Sequence, residues 1–268
     1  LIRGFKLRQR VITAIVALII FIPIILLGGV WIDIAGIALG IVAISEILVM
    51  KKKLLVSTEA FISYFGVATL IMPESWLDFL PVHISQEFFF FVFVLLMLLL
   101  TVLSRNLFSF DDAGVLTLGM LYIGTGFHYF IVARSISLVV LLYALFIVWS
   151  TDSGAYIFGR MLGRHKLAPR ISPNKTWEGS ISGTILATVI CTLFIAFYPI
   201  FGYSTLELFF VTVVLSIAGQ FGDLIESALK RYYGVKDSGK ILPGHGGILD
   251  RFDSLLFVLP ILHLIGIV

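Results

Sequence analysis

Residues 206–231 read LELFFVTVVLSIAGQFGDLIESALKR. The apolar run from 206 to 229 is long enough, at 1.5 Å per residue, to cross ~30 Å of hydrocarbon as a helix. Within it, Ser216, Gly219, Gln220, Asp223, Glu226, Ser227 and Lys230 recur at intervals of three and four, so they share one helical face. A carboxylate inside a bilayer span costs at least ~2.5 kcal/mol on insertion scales. Two on one stripe must face protein or water. The stretch therefore predicts one helix of a membrane bundle, its polar side turned away from lipid and its inner end marked by Lys230 and Arg231.

The rest of the chain agrees. Of 268 residues, 59% are hydrophobic and 13% charged, against ~25% charged in a soluble domain. Mean hydropathy is +1.08. These values exclude a soluble enzyme, a disordered chain and a disulfide scaffold. Eight further apolar stretches lie at 11–30, 32–50, 59–73, 86–104, 113–133, 136–159, 178–199 and 252–268. The expected fold is all-α: a polytopic integral membrane helical bundle of about nine transmembrane helices. The third span is the weakest, cut short by Pro73 and Glu74. Pro23 and Pro260 are expected to kink their spans. The first span follows basic residues as a signal peptide would, but it is too long for one and lacks a small-residue cleavage site. Residues 1–110 form an N-terminal transmembrane region of about four helices. Residues 111–268 are expected to form a second region of about five, carrying the polar loops 160–177 and 230–251, the places where catalytic chemistry is to be sought. Neither an internal repeat nor an inverted symmetry is visible.

The basic residues orient the bundle. With the N-terminus cytoplasmic, eighteen of the nineteen Lys and Arg fall on inside segments, including Arg3, Lys6, Arg8, Arg10 and Lys51 to Lys53, and Arg134 alone falls outside. That asymmetry follows the positive-inside rule. Trp31 and Trp76 lie near the outer boundary. Gly36 and Gly40 permit close helix contact, compatible with a homodimer and equally with packing inside one chain.

Chemistry is expected where charges gather. Glu226 and Lys230 could simply form an i, i+4 pair. Asp223 lies deeper, and Asp152 sits late in the sixth span. The loop after Lys236 and Asp237 carries His245 among Gly244, Gly246 and Gly247, whose small size lets backbone amides approach a ligand. Asp250 and Asp253 then open the ninth span, where helix capping alone would explain them but would not exclude a metal. Asp223, Glu226, Asp250 and Asp253 come to one depth, and four carboxylates repel unless a cation neutralises them. Oxygen ligands without Cys or paired His favour Mg²⁺ or Mn²⁺ over Zn²⁺. Asp223 and Asp250 are the best metal ligands, and the set leaves room for a second cation. Nearby Lys and Arg point to a substrate with several phosphates. The loop Ser172-Pro173-Asn174-Lys175-Thr176-Trp177 precedes a helix start, which offers an anion site or merely an interfacial turn. Cys191 reads as a small core residue.

The segment Ser227–Asp253, with Lys230, Arg231, Lys236, Asp237 and His245-Gly246-Gly247-Ile248-Leu249-Asp250-Arg251-Phe252-Asp253, resembles the signature of the bacterial CDP-diacylglycerol synthases, or phosphatidate cytidylyltransferases. The resemblance extends to Ser172-Pro173, Lys175-Thr176, Glu178-Gly179, Asp152-Ser153 and Ala155-Tyr156. The first ~130 residues match only as a hydrophobic multi-span region. The resemblance implies that CTP and phosphatidic acid give CDP-diacylglycerol and pyrophosphate, with Mg²⁺, at the cytoplasmic face of the cell inner membrane. Its partners would be the nucleotide and membrane lipid, not nucleic acid. Lys230, Arg231 and Lys175 would contact phosphates. Ser172, Asn174, Lys236, Gly246 and Gly247 would bind substrate. His245 would position or protonate the leaving pyrophosphate, or merely hold its loop. Asp152 would support a metal ligand or hold a lysine, and Asp237 and Arg251 could pair. Two other readings remain open here: a CTP-dependent kinase acting on a polyprenol or phytol, and a cation-coupled transporter using Asp152, Asp223 and Glu226.

Overall fold

The computed structural model describes residues 2–78 and 85–268. The side chains of Arg3, Lys6, Arg8 and Arg10, and all of His83, lie outside the described residues. Among the described residues there are nine α-helices: α1 (Ile2–Leu27), α2 (Val30–Met50), α3 (Thr58–Ile71), α4 (Gln86–Leu103), α5 (Phe110–Ile136), α6 (Leu138–Leu162), α7 (Trp177–Phe197), α8 (Thr205–Tyr232) and α9 (Leu249–Leu264). Six of them, α2 and α4 to α8, are long and apolar enough to cross a bilayer. The protein is an all-α, multi-pass membrane protein. The apolar part of α1 (Val11–Leu27), α3 and α9 are shorter. As expected, α3 stops at Ile71, just before Pro73 and a single 3-10 turn over Glu74–Leu77.

Local chemistry sets the helix starts. Ser57, Ser85, Ser137, Thr176 and Ser204 each accept an amide hydrogen bond at the N-cap. Such a bond satisfies one of the amides a helix start leaves open. At Ser204, Glu207 completes a capping box.

One feature differs from expectation. The loop at 160–177 contains a β-hairpin, β1 (Lys166–Ala168) with β2 (Ser172–Thr176), paired antiparallel with Lys166 opposite Thr176. A strand of three residues is too short to show a period-two pattern, and Pro173 argues against a strand except at an edge.

The chain divides into two compact units. The first holds Leu1–Ile131 with Asp237–Arg251, and the second holds Val132–Lys236 with Phe252–Val268. In the first, α2, α3 and α4 pack in sequence, and α5 lies against α2 and α3. Gly36 there faces Ile131 and Ile71, and Gly40 faces Ile71 and Val67, so both glycines serve packing within the chain. In the second, α6 and α7 pack most closely, and α8 lies against both. A methyl group added at Gly183 would meet the Thr151 carbonyl, and one at Gly179 the Ala155 carbonyl. Glycine thus brings the α6 and α7 backbones together, as small residues do between membrane helices.

Candidate active site

The stripe on α8 faces protein. Ser216 shares a hydrogen bond with Thr151 of α6 (2.7 Å) and donates to Thr184 of α7 (3.1 Å). Gln220 Nε2 also donates to the Thr184 hydroxyl at 3.0 Å. Gly219 packs against Val258 and Ser254 of α9. Asp223 Oδ2 lies 2.5 Å from Lys175 Nζ, and Asp223 Oδ1 accepts from Ser227 at 3.2 Å. Glu226 and Lys230 form the i, i+4 ion pair, and both residues are buried.

Gln220, Asp223 and Lys175 border a cavity of about 610 Å³ in the second unit. Asp152, Tyr156, Gly159 and Arg160 line it from α6, where their spacing follows one helical face, and Gly163 lines it just past the helix end. The hairpin contributes Lys166, Asn174 and Lys175, and α7 and α8 contribute Ser180, Gln220 and Asp223. Three cationic side chains and two carboxylates therefore border one hollow. That mixture suits a polyphosphate, which needs positive charge and well-placed donors.

Asp253 is half-buried on the first turns of α9, with its carboxylate accepting from the Ser254 amide at 2.7 Å. It lies within electrostatic range of Asp223 and Asp152, with Lys230 as a positive neighbour. Asp253 thus has Asp152 and Asp223 as charged neighbours within the second unit. Glu226 is engaged by Lys230. Among the described residues, no three or more His, Cys, Asp or Glu side chains gather tightly enough to hold a metal by themselves.

The hairpin is itself held in place. Glu178 accepts from the backbone amides of Arg164 and His165 at 3.1–3.2 Å and meets His165 Nδ1 at 2.6 Å. Arg231, expected to contact phosphate, donates to the carbonyls of Ile171 (3.2 Å) and Val235 (3.0 Å). It ties the end of α8 to the hairpin turn. Ser172 pairs with Ala168 in the ladder and is absent from the cavity lining, and Lys236 is exposed.

His245, Gly246, Gly247 and Asp250 belong to the first unit. Gly246 takes φ = +85°, a conformation L side chains rarely adopt, and a Cβ there would also crowd the Asp250 carboxylate. Asp250 Oδ2 accepts from the Ser238 amide (2.8 Å), the Ser238 hydroxyl (3.0 Å) and the Gly247 amide (2.8 Å). These donors belong to the loop, so Asp250 closes the loop rather than capping the α9 amides. Arg251, expected to pair with Asp237, instead forks onto the His245 carbonyl at 2.9 and 3.1 Å. The His245 Nδ1 is buried without a hydrogen-bond partner. Cys191 is fully buried, as a core residue should be.

Sequence reading did not single out Arg160, Lys166, Tyr156 or Ser180 as site residues. The signal for the α6 residues was the three- and four-residue spacing onward from Asp152. The hairpin residue Lys166 had no comparable signal.

A second hollow of about 730 Å³ lies between α7 and α8, lined by Trp177, Ile181, Ile185, Phe209, Val213 and Phe221 among others. It shares Leu167, Ser180 and Gln220 with the polar cavity.

The profile of the cytidylyltransferase family matches residues 8–268. The chain belongs to the cytidylyltransferase family. Full-length relatives agree. A protein of Staphylococcus haemolyticus is 46% identical over 264 residues, covering 97% of this chain and 98% of its own. One of Bacillus subtilis is 46% identical over 262 residues, covering 96% of each. One of Staphylococcus aureus strain COL is 45% identical over 264 residues. All three are named phosphatidate cytidylyltransferase. The match runs through the N-terminal helices as well, where residues alone had given only a hydrophobic region.

Proposed function

We propose that the protein transfers the cytidylyl group of CTP to phosphatidic acid, giving CDP-diacylglycerol and pyrophosphate. The observation that carries this is the junction of the two hollows at Leu167, Ser180 and Gln220. One is bordered by Arg160, Lys166 and Lys175, and the other is apolar. A phosphate monoester on two acyl chains has that polarity. The names of the full-length relatives favour cytidylyl transfer over γ-phosphoryl transfer and over transport.

A lipid phosphate oxygen attacks the α-phosphorus of CTP in line, and pyrophosphate leaves. No strong general base is needed, because a phosphate monoester has its second pKa near ~6 and is mostly dianionic at pH 7. The cationic side chains align and neutralise the two anionic reactants, which would otherwise repel. Lys175 pairs with Asp223 and lines the cavity, so its ammonium is placed where a phosphate of CTP would need it. His245 and the loop glycines are assigned to the leaving pyrophosphate.

The donor set suits Mg²⁺. This ion takes one or two carboxylates and completes its shell with water and substrate phosphates, so no three-carboxylate cage is required. Asp223 and Asp253 would hold it, with Asp152 beside them; Asp250, the other ligand expected from the sequence, lies in the first unit and closes its own loop onto Ser238 and Gly247. A bound Mg²⁺ supplies charge neutralisation at the phosphates. The basic asymmetry of the chain supports a cytoplasmic N-terminus and an active site facing the cytoplasm, in the cell inner membrane.

Labelled nucleotide tests the reaction. With Mg²⁺ and phosphatidic acid, label from α-labelled CTP is expected in the lipid extract, and label from γ-labelled CTP in pyrophosphate. γ-Label in lipid would instead make the protein a lipid kinase.

A further inference from the structure

Glu46 lies one turn before the end of the apolar helix α2 and is only 3% exposed. An aliphatic side chain would suit that position better, so the carboxylate must have partners that compensate for its burial. It has three. Its Oε1 accepts from the Ile248 amide at 2.7 Å, and its Oε2 accepts from the Leu249 amide at 3.0 Å and the Ser238 hydroxyl at 2.8 Å. The two amides stand at the start of α9, where a helix leaves its first N–H groups without acceptors in its own turns. Glu46 therefore does the work of an N-cap from about two hundred residues away, and its charge suits the positive end of the helix dipole.

The Ser238 hydroxyl lies between two carboxylates, Glu46 and Asp250. Asp250 in turn holds the Ser238 and Gly247 amides. The loop is thus closed by one carboxylate of its own and by one from a distant helix. Gly239 and Gly247 permit that approach, since a Cβ at either position would collide with the Glu46 side chain.

We propose that Glu46 is a positioning residue for the reaction. It fixes the glycine loop that carries His245 and Asp250. This rests on the cytidylyl-transfer reading above. No role in contact with substrate is assigned to Glu46 itself.

The test uses the full-length protein in detergent micelles, as E46A and E46Q. Two readouts are taken: the rate of tryptic cleavage at the exposed Lys240, and KM for CTP and for phosphatidic acid separately. In E46A, cleavage is expected to rise at least about tenfold, because proteolysis follows the population of the open loop. KM for CTP should rise several-fold while KM for phosphatidic acid stays put. E46Q should fall between, since an amide oxygen can serve only one of the two α9 amides. A loss of folded protein would lower kcat alone and leave both KM values unchanged. Wild-type cleavage and wild-type KM for CTP in E46A overturn the proposal, whatever happens to kcat. If E46A does not accumulate in the membrane, S238A and E46Q decide. A smaller shift in the same direction supports the clamp, and no shift in either overturns it. Should the wild-type protein transfer no α-label at all, the reaction reading fails, while the cleavage readout still judges the clamp.

Discussion

Asp223 is asked to do two things with one carboxylate. In the structure it grips Lys175 at 2.5 Å and takes a hydrogen bond from Ser227; in the reaction it is assigned to Mg²⁺. The two roles are compatible because a bound Mg²⁺ would supply Asp223 with the positive charge that Lys175 supplies in its absence, and Lys175 would then serve a phosphate. D223N keeps the shape and the Ser227 contact but removes the charge that both partners need. Turnover should then fall by roughly 10²–10³-fold, the usual loss when one preorganised electrostatic group is removed. The variant should still be found in the membrane fraction, because deleting a charge from a span does not oppose insertion. Wild-type, Mg²⁺-dependent turnover in D223N would refute the assignment. Asp223 was legible because a carboxylate in an apolar run demands a reason. Glu46 meets the same criterion and went unread, because its partners lie about two hundred residues away and no local pattern connects them. Arg160 and Lys166 were legible only as inside charges, since a basic residue near a span end satisfies the orientation rule whether or not it binds anything.

At the scale of elements, the cavity depends on how closely α6 and α7 approach. Gly183 sits against backbone atoms of Thr151 and Ala155, which cannot swing aside as a flexible side chain can. G183A should therefore push the helices apart and cost about 1–3 kcal/mol, the range for overpacking. The measurement is the thermal midpoint in detergent, with G114A of α5 as the control, because a methyl group there meets nothing within 4 Å. Equal midpoints for the two variants would show that the seam tolerates separation. The long helices were legible from apolar length and their starts from Ser or Thr caps. The hairpin was not, because its strands are too short to carry periodicity and their pairing rests on Glu178 and Arg231, contacts made across turns. The division into units was also hidden: residues 237–251 join helices far away in sequence, and composition does not change at residue 131.

Across the molecule, two solvents must be served by one site. The charged side chains bring a polyanion from water, and the hollow between α7 and α8 offers apolar lining that joins the polar cavity at Leu167, Ser180 and Gln220. If the lipid's phosphate reacts in the polar hollow, at least one acyl chain has to leave along the apolar one. Val213 is a half-buried lining residue there and is absent from the polar lining. V213W places an indole in the path of the chain without touching Arg160, Lys166 or Lys175. The expected outcome, in a mixed-micelle assay, is a KM for long-chain phosphatidic acid raised by about tenfold, the effect of removing ~1.4 kcal/mol of apolar contact. KM for CTP should be unchanged, and the penalty should shrink as the acyl chains are shortened below the depth of the indole. A penalty independent of chain length would mean that the substitution acts on the helix pair rather than on the lipid. A wild-type profile at every length would mean that the chains leave by another face, and the apolar hollow would then be bilayer-filled surface with no part in selecting substrate.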